Sequence, residues 1–472
     1  MPSAQTRDQA LFFAGNRLLA AGDGAGAERC FRQALALNPG FAEVWTNLGL
    51  LREHAGAADE ALDCYRRAVD LRPDGLQLQI NLGAMLMERG RFAEADACLA
   101  RALRIDPGSA DAWSHRGVLM AHLNRDTEAE RCCRTAIRLD AGHAQARFNL
   151  SYVLLRQGRY AEGWACRESR RWYDGLAHCF ACPRWSGEPL DGRAVLVGLE
   201  AGHGDMIQFC RYVPELKRLG AARVGVVCHA GLATLFRTLP GIDRVYPASG
   251  ELALTGWDYW VPPLSLPYHC RTRLESIPAP IPYLAADLLL VSKWAGELPA
   301  GRPLVGLVWK GNPRFENDAD RSLSSLDLLA PLAGLEGIGF VSLQKGAGEE
   351  EARQPPPGLA LQAVGERLAD FADTAAVIAG LDLVISVDTA VAHLAGALGK
   401  PCWVLLPDHM PDWRWLTGRT DSPWYPGTMR LFRQPAGGGW TPVVAEVAVS
   451  LREWLLATPA RGLSGQGQQV NR

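Results

Sequence analysis

From Ala194 onward, short apolar runs alternate along the chain with stretches whose apolar positions recur at helical spacing. Ala194 to Leu199, Arg223 to Cys228 and Leu381 to Val387 read as strands buried on both faces of a parallel sheet. Between the first two, EAGHGDMIQFCRYVPELKRLGA opens as a glycine-bearing loop. It continues as an amphipathic helix with Ile207, Cys210, Val213 and Leu216 inward and Gly220 at its end. The strand LVGLVWKG, the polar loop NPRFENDADRS, a helix from Leu326, the strand GFVSLQKG and the helix DFADTAAVIAG lead to LDLVISVDTAVAHLAGALGKP. Here a strand passes directly into a helix, with Asp388 as the expected N-cap and Thr389, Val391, Leu394, Ala395 and Leu398 in the helix. Gly399 and Pro401 close it. A last helix begins at Trp440, and residues 459 to 472 read as a disordered polar tail. Alternating β and α segments predict a parallel α/β architecture.

The first 160 residues follow a different pattern. Gly15, Gly49, Gly83 and Gly117 are spaced 34 apart, as are Ala27, Ala61, Ala95 and Ala129, and Pro39, Pro73 and Pro107. Small residues at fixed points let two antiparallel helices approach closely, and the proline ends each unit. With Trp45 and Trp113, and with Phe31 and Tyr65, this is the signature of the tetratricopeptide repeat. A fifth unit from about Ala144 keeps Leu150, Gly158 and Tyr160 but has Ser151 for glycine and Ala141 for proline. Such units stack into a superhelix with a concave groove. Asn47, Asn81 and Asn149 share one position of the unit, where Phe13 and His115 stand in the other two. An amide offers both a donor and an acceptor, so a ladder of them suits the backbone of an extended peptide. The alternative is helix-to-helix bonding in a groove that binds nothing. The arrangement resembles the asparagine ladder of O-linked N-acetylglucosamine transferases.

Composition narrows the partners. The 472 residues suffice for about three domains. A net charge of −2 with both signs interspersed gives no reason to expect nucleic acid. No apolar run reaches the roughly 20 residues of a membrane span. Twelve scattered cysteines form no framework, which favours a reducing cytoplasm; Cys179 and Cys182 lack a second pair with zinc-ligand spacing. The expected divisions are the repeats over 1–170, a connector over 171–193, a first α/β lobe over 194–293, a hinge over 294–303 and a second lobe over 304–458.

Two corners carry candidate chemistry. Asp205 follows Gly202 and Gly204 where a loop enters a helix, and is either a helix cap or a base close to a ligand. Asp388, Thr389 and His393 lie where a strand delivers unpaired N–H groups and a helix dipole to the carboxyl edge of the sheet, a setting that holds anions. Lys310, Arg314 and Arg321 belong to one strand end and its loop, and either serve a diphosphate or pair with Glu316, Asp318 and Asp320. The run Asp388-Thr389 to His393, followed by Gly399-Lys400-Pro401, resembles the nucleotide-sugar motif of the ADP-heptose:lipopolysaccharide heptosyltransferase superfamily, glycosyltransferase family 9. Gly202 to Asp205 resembles the GxGD segment of the same family, whose aspartate is its catalytic base.

That resemblance implies a GT-B fold, two Rossmann-like lobes facing each other across a cleft, and inverting transfer of a sugar from a nucleotide-diphosphate donor. It implies Asp205 as base and Arg321, with Lys310, as counter-charge to the leaving diphosphate. Thr389 and the helix start at Asp388, Ala390 and His393 would form the donor site, with Gly202 and Gly204 near the acceptor and no metal or cofactor required. Ala390 stands where the family usually has glycine, and Gln344 and Lys345 where it has an acidic ribose contact. The repeats favour a protein acceptor. A saccharide or lipid-linked acceptor, or a repeat scaffold with an inactive transferase lobe, are the alternatives.

Overall fold

The computed structural model describes residues 6–249, 254–315 and 317–457. The expected tail over 459–472 and the expected pairing partner Glu316 lie outside these residues. The chain forms two compact units, Met1–Val153 and Leu154–Arg472. No helix among the described residues is long and apolar enough to cross a membrane.

The first unit consists of helix pairs: Arg7–Ala20 with Gly24–Leu37, Ala42–His54 with Ala58–Leu71, Leu76–Glu88 with Phe92–Ile105, and Ala110–His122 with Asp126–Leu139. The repeated glycines explain the pairing. A Cβ on Gly15 would lie 2.5 Å from the Phe31 ring, one on Gly49 2.8 Å from Tyr65, and one on Gly117 2.6 Å from Cys133 Sγ. Each glycine thus admits a side chain of its partner helix into the space a methyl would fill. A second recurring device ties each unit to its predecessor. Trp45 and Trp113 donate Nε1–H to the carbonyls of Pro39 and Pro107 at 2.9 and 3.0 Å. In the unit that lacks tryptophan, Gln79 Nε2 donates to Pro73 O at 2.8 Å, so the amide replaces the indole without loss of the bond.

The repeats were expected to run to 170, yet helix Tyr160–Arg167 belongs to the second unit. The reason is its apolar face: Tyr160 and Trp164, both 1% exposed, sit in that unit's core with Trp413 and Trp424. The chain leaves the first unit inside helix Ala144–Arg156.

The second unit holds two wholly parallel sheets. The first has four strands, β1 (Ala194–Val197), β2 (Arg223–Cys228), β3 (Arg244–Pro247) and β4 (Tyr259–Val261), in the order β3-β2-β1-β4. The second has β5 (Leu304–Val308), β6 (Gly339–Ser342), β7 (Leu361–Ala363), β8 (Leu383–Val387), β9 (Cys402–Leu406) and β10 (Met429–Arg433), in the order β10-β9-β8-β5-β6-β7. Counted from β5, this is the doubly wound order whose direction reverses between its first and fourth strands. All-parallel strands need cover on both faces, which explains their unbroken apolar runs: β5, β8 and β9 are buried at every position. Helix Trp440–Ala457 covers one face of the six-stranded sheet, and helices Phe371–Gly380 and Ala390–Ala397 the other.

Acidic residues mark the opposite ends of the strands. Asp258, Asp243 and Asp382 precede β4, β3 and β8, and accept from the N–H of Ala194, Val224 and Leu304 at the start of the neighbouring β1, β2 and β5, at 2.7, 2.7 and 2.8 Å. The segment read as a connector wraps the edge of the first sheet, with Trp185 N–H bonded to Trp260 O at 2.8 Å and Phe180 stacked on the Trp260 ring at 4.5 Å. The segment read as a hinge begins inside a helix instead. Trp294 lies in helix Leu288–Ala295, fully buried, and donates its indole N–H to Asp373 at 2.7 Å. Its apolar area outweighs the breakers that follow it.

Candidate functional site

The crevice where strand order reverses lies between the carboxyl ends of β5 and β8, and the loops after β1 and β9 reach it. Asp388 follows β8 and was expected to cap the next helix. Thr389 instead holds the N-cap position, with extended backbone (φ −138°, ψ 170°), and its side chain makes no capping bond. The threonine hydroxyl turns back to Ser386 Oγ at 2.9 Å. That leaves the Asp388 carboxylate to face the loop after β9, where Trp415 Nε1–H donates to it at 2.9 Å. Thr389, expected within the helix, is thus its cap residue, one position before the helix that carries His393.

His393 is buried at the back of this corner. Its Nδ1 bonds Tyr425 Oη at 2.9 Å, its ring stacks on Trp415 at 5.4 Å, and its Nε2 lies 3.9 Å from Asp388. Burial, with the positive charges of Arg414 and Arg211 nearby, holds its pKa well below the usual value, so the ring is neutral. Burial and the neighbouring Asp412 push the Asp388 carboxyl up to about 6, against the Trp415 bond and the charges of Arg321 and Arg414. A carboxyl raised in this way destabilises the fold once ionised. Between its ordinary value of 3.8 and about 6 the folded state binds more protons than the unfolded chain, so stability falls as pH rises through that window. Asp388→Asn is therefore expected to be more stable than the parent at pH 8 by about 1–3 kcal/mol, with the gap closing toward pH 4. Urea unfolding across that range measures it; a gap independent of pH would contradict the assignment.

Asp205 reaches the same corner from the loop after β1. It stands in helix His203–Phe209, where Oδ2 accepts from Gly202 N–H at 2.9 Å, and Oδ1 is paired with Arg414. From the third helical position it thus satisfies the N–H of the N-cap residue Gly202 and is an ion-pair partner at once. Gly204 lets the two corners meet: a Cβ there would lie 2.9 Å from His393 Cδ2 and 3.5 Å from Ala390 Cα. The loop is braced by His229, whose Nε2 bonds the carbonyl of Ala201 at 2.9 Å, and whose ring stacks on His203.

The basic residues divide. Arg321 Nε pairs with Asp318 at 3.1 Å, as the alternative reading of that loop has it, and its charge is felt at Asp388. Lys310 pairs with Glu351, a residue no sequence pattern singles out, which also accepts from Trp309 Nε1 and Leu326 N–H. Burial raises the Glu351 carboxyl, but these bonds outweigh it and leave it lowered. Arg314 is exposed. Gln344 is fully committed to the backbone: it accepts from Trp309 and Lys310 N–H at 3.0 Å each and donates to Lys310 O and Ala347 O at 3.0 and 2.7 Å. Lys345 donates to Gly365 O at 3.1 Å. Arg414, the cation that joins both corners, was missed; its place between Trp413 and Trp415 in PDWRW was the available signal.

In the first unit, the three asparagines also have partners. Asn47 donates to Asn16 at 2.6 Å and Asn149 to Ser114 at 3.3 Å, each across to the preceding unit, while Asn81 accepts from Gln77 of its own helix at 2.7 Å.

Comparison with known proteins finds two patterns along the chain, the first of which reaches past the limit of the first unit at Val153. Tetratricopeptide repeat patterns match residues 14–75, 52–119 and 127–163. The N-terminal array is made of tetratricopeptide repeats. The pattern of glycosyltransferase family 9 (heptosyltransferase) matches residues 338–412. This stretch runs from β6 through β9 and contains Asp388, Thr389, Ala390 and His393, whereas Asp205, Lys310 and Arg321 lie outside it. Protein FlbA of Caulobacter vibrioides is 31% identical over 341 residues, which cover 65% of this chain and 55% of that protein. The chain thus spans about half the length of that relative. Among solved structures, a thermophilic TPR protein in Thermus thermophilus is 25% identical over 34% of this chain and 87% of its own, with a TM-score of 0.31. PilW, a type IV pilus biogenesis factor, is 18% identical over 37% and 80%, with a TM-score of 0.34. The tetratricopeptide repeats imply a protein-interaction surface.

Proposed function

We propose that the second unit is an inverting GT-B glycosyltransferase that moves a sugar from a nucleotide-diphosphate donor to an acceptor hydroxyl. One observation carries the reading: the family 9 match contains the Asp388 to His393 corner, and that corner lies at the reversal point of a doubly wound sheet. In the reaction, Asp205 takes the proton of the acceptor hydroxyl as its oxygen bonds the anomeric carbon. The bond from that carbon to the diphosphate breaks, and its electron pair leaves with the diphosphate. Arg321 and the start of helix Ala390–Ala397, with Thr389, offset the charge that grows there, so the reading calls for no metal. Lys310 and Gln344, each engaged within the protein, take no part in it.

The tetratricopeptide repeats favour a protein acceptor held along the groove that carries Asn47, Asn81 and Asn149, in a cytoplasmic setting that suits twelve scattered cysteines. The test is release of nucleoside diphosphate from a panel of nucleotide sugars by purified protein, with a cell extract as acceptor source. The reading expects one donor to be consumed and sugar to appear on protein, with protein labelling reduced in the Asn47→Ala, Asn81→Ala double variant. Labelling of lipid or free saccharide alone would replace the acceptor; no consumption of any donor would remove the enzyme.

A further inference from the structure

The loop after β9 carries a cation to which the reaction above gives no task. Arg414 is buried, its guanidinium carbon 4.5 Å from the centre of the Trp413 ring. Nη1 donates to Asp412 at 2.8 Å, Nε to Gln208 and Nη2 to Asp205. It thus joins two segments 209 residues apart in sequence, at the point where Gly204 meets Ala390 and His393. Its charge reaches Asp388 and His393 as well. Gln208, completely buried, gives its oxygen to Arg414 while its Nε2 has no acceptor among the described residues. The segments that hold the pair are strained: Ala201, Met410 and Leu416 have φ of 63°, 47° and 52°. For residues other than glycine such a conformation is costly, and it persists where surrounding structure enforces it.

An aspartate whose two oxygens already accept bonds from Gly202 and Arg414 is poorly disposed to take a proton from an acceptor. A diphosphate carries more charge than one carboxylate and presents paired oxygens to the guanidinium fork. Resting on the donor-site reading above, we propose that Arg414 is a ligand of the donor diphosphate that Asp205 holds in reserve. Diphosphate arriving at the start of helix Ala390–Ala397 draws the guanidinium off Asp205, and the carboxylate so released accepts the hydroxyl proton. Base and donor are thereby coupled: Asp205 is freed when there is a sugar to transfer.

Titration calorimetry of ADP, GDP, UDP and CDP against the full chain and its variants tests this. Asp205→Asn, which weakens the competitor for Arg414, is expected to bind the preferred nucleotide about 3–10-fold more tightly, and Arg414→Gln at least about tenfold more weakly. In the double variant the gain from Asp205→Asn disappears, because there is no guanidinium left to release. Arg414→Lys, which keeps the charge but not the fork, carries the same comparison if the glutamine variant does not fold. Unchanged affinity in Asp205→Asn overturns the proposal. So does a gain that persists without Arg414, which would reflect through-space repulsion alone. If no nucleotide binds the parent protein, the donor-site reading itself fails and this proposal with it.

Discussion

Asp205→Asn is expected to reduce sugar transfer by about 10²- to 10⁴-fold while leaving the fold intact. The side chain is isosteric and keeps an oxygen that can accept from either Gly202 or Arg414. What it loses is the capacity to hold a proton from the acceptor hydroxyl. The loss should therefore fall on turnover and not on donor binding, which is expected to tighten. Single-turnover kinetics with saturating nucleotide sugar separate the two. A fall in transfer matched by a fall in donor affinity would mean that Asp205 serves to shape the corner, as its bonds to Gly202 and Arg414 do, and not as a base.

The largest expected effect on stability lies at Arg170. Its side chain is completely buried and donates to Glu200 at 2.7 and 3.1 Å, to Ser265 at 2.7 Å and to Glu168 at 2.8 Å. Glu200, 1% exposed, also accepts from Trp172 Nε1 and Leu264 N–H. Glu200 follows β1 and Leu264 follows β4, the two strands between which the first sheet reverses its order, so the pair sits at that reversal point. Removing one member of a buried pair leaves the other charge uncompensated, at a cost of about 3–5 kcal/mol. Arg170→Met should lower the unfolding midpoint of the second unit accordingly, and Glu200→Gln added to it should restore most of the loss. A drop below about 1 kcal/mol would show that water reaches Glu200.

Short-range features were legible in the sequence; long-range pairs were not. The repeats announced themselves because close helix packing requires a small residue at one fixed point, and Gly15, Gly49 and Gly117 each press against a side chain of the partner helix. The six-stranded sheet was legible because strands buried on both faces carry continuous apolar runs, as β5, β8 and β9 do. The Asp205 and Asp388 corners were visible as places where a loop or strand turns into a helix. Their partners were not, since Arg414 meets Asp205 across 209 residues and Lys310 meets Glu351 across 41. Asp388 misled as a cap because aspartate is a good one in general, whereas here an indole N–H from the loop after β9 competes successfully for its carboxylate. Domain limits shifted for a related reason. Tyr160 keeps its place in the repeat pattern, but its hydroxyl bonds Trp424 Nε1 at 2.9 Å, and that packing assigns its helix to the second unit.

We propose that the corner formed by Asp388, Thr389, Ala390 and His393 holds a nucleotide diphosphate. Thermal unfolding of the purified chain against a panel of nucleoside diphosphates and nucleotide sugars tests it most directly, repeated with Thr389→Ala and Arg321→Ala. Ligand at 100 times its Kd adds about 2.7 kcal/mol to the state that binds it, an easily measured shift. A rise in the unfolding temperature of the second unit is expected with one nucleotide, lost or strongly reduced in both variants. No shift with any of them, or a shift that both variants retain in full, would contradict it.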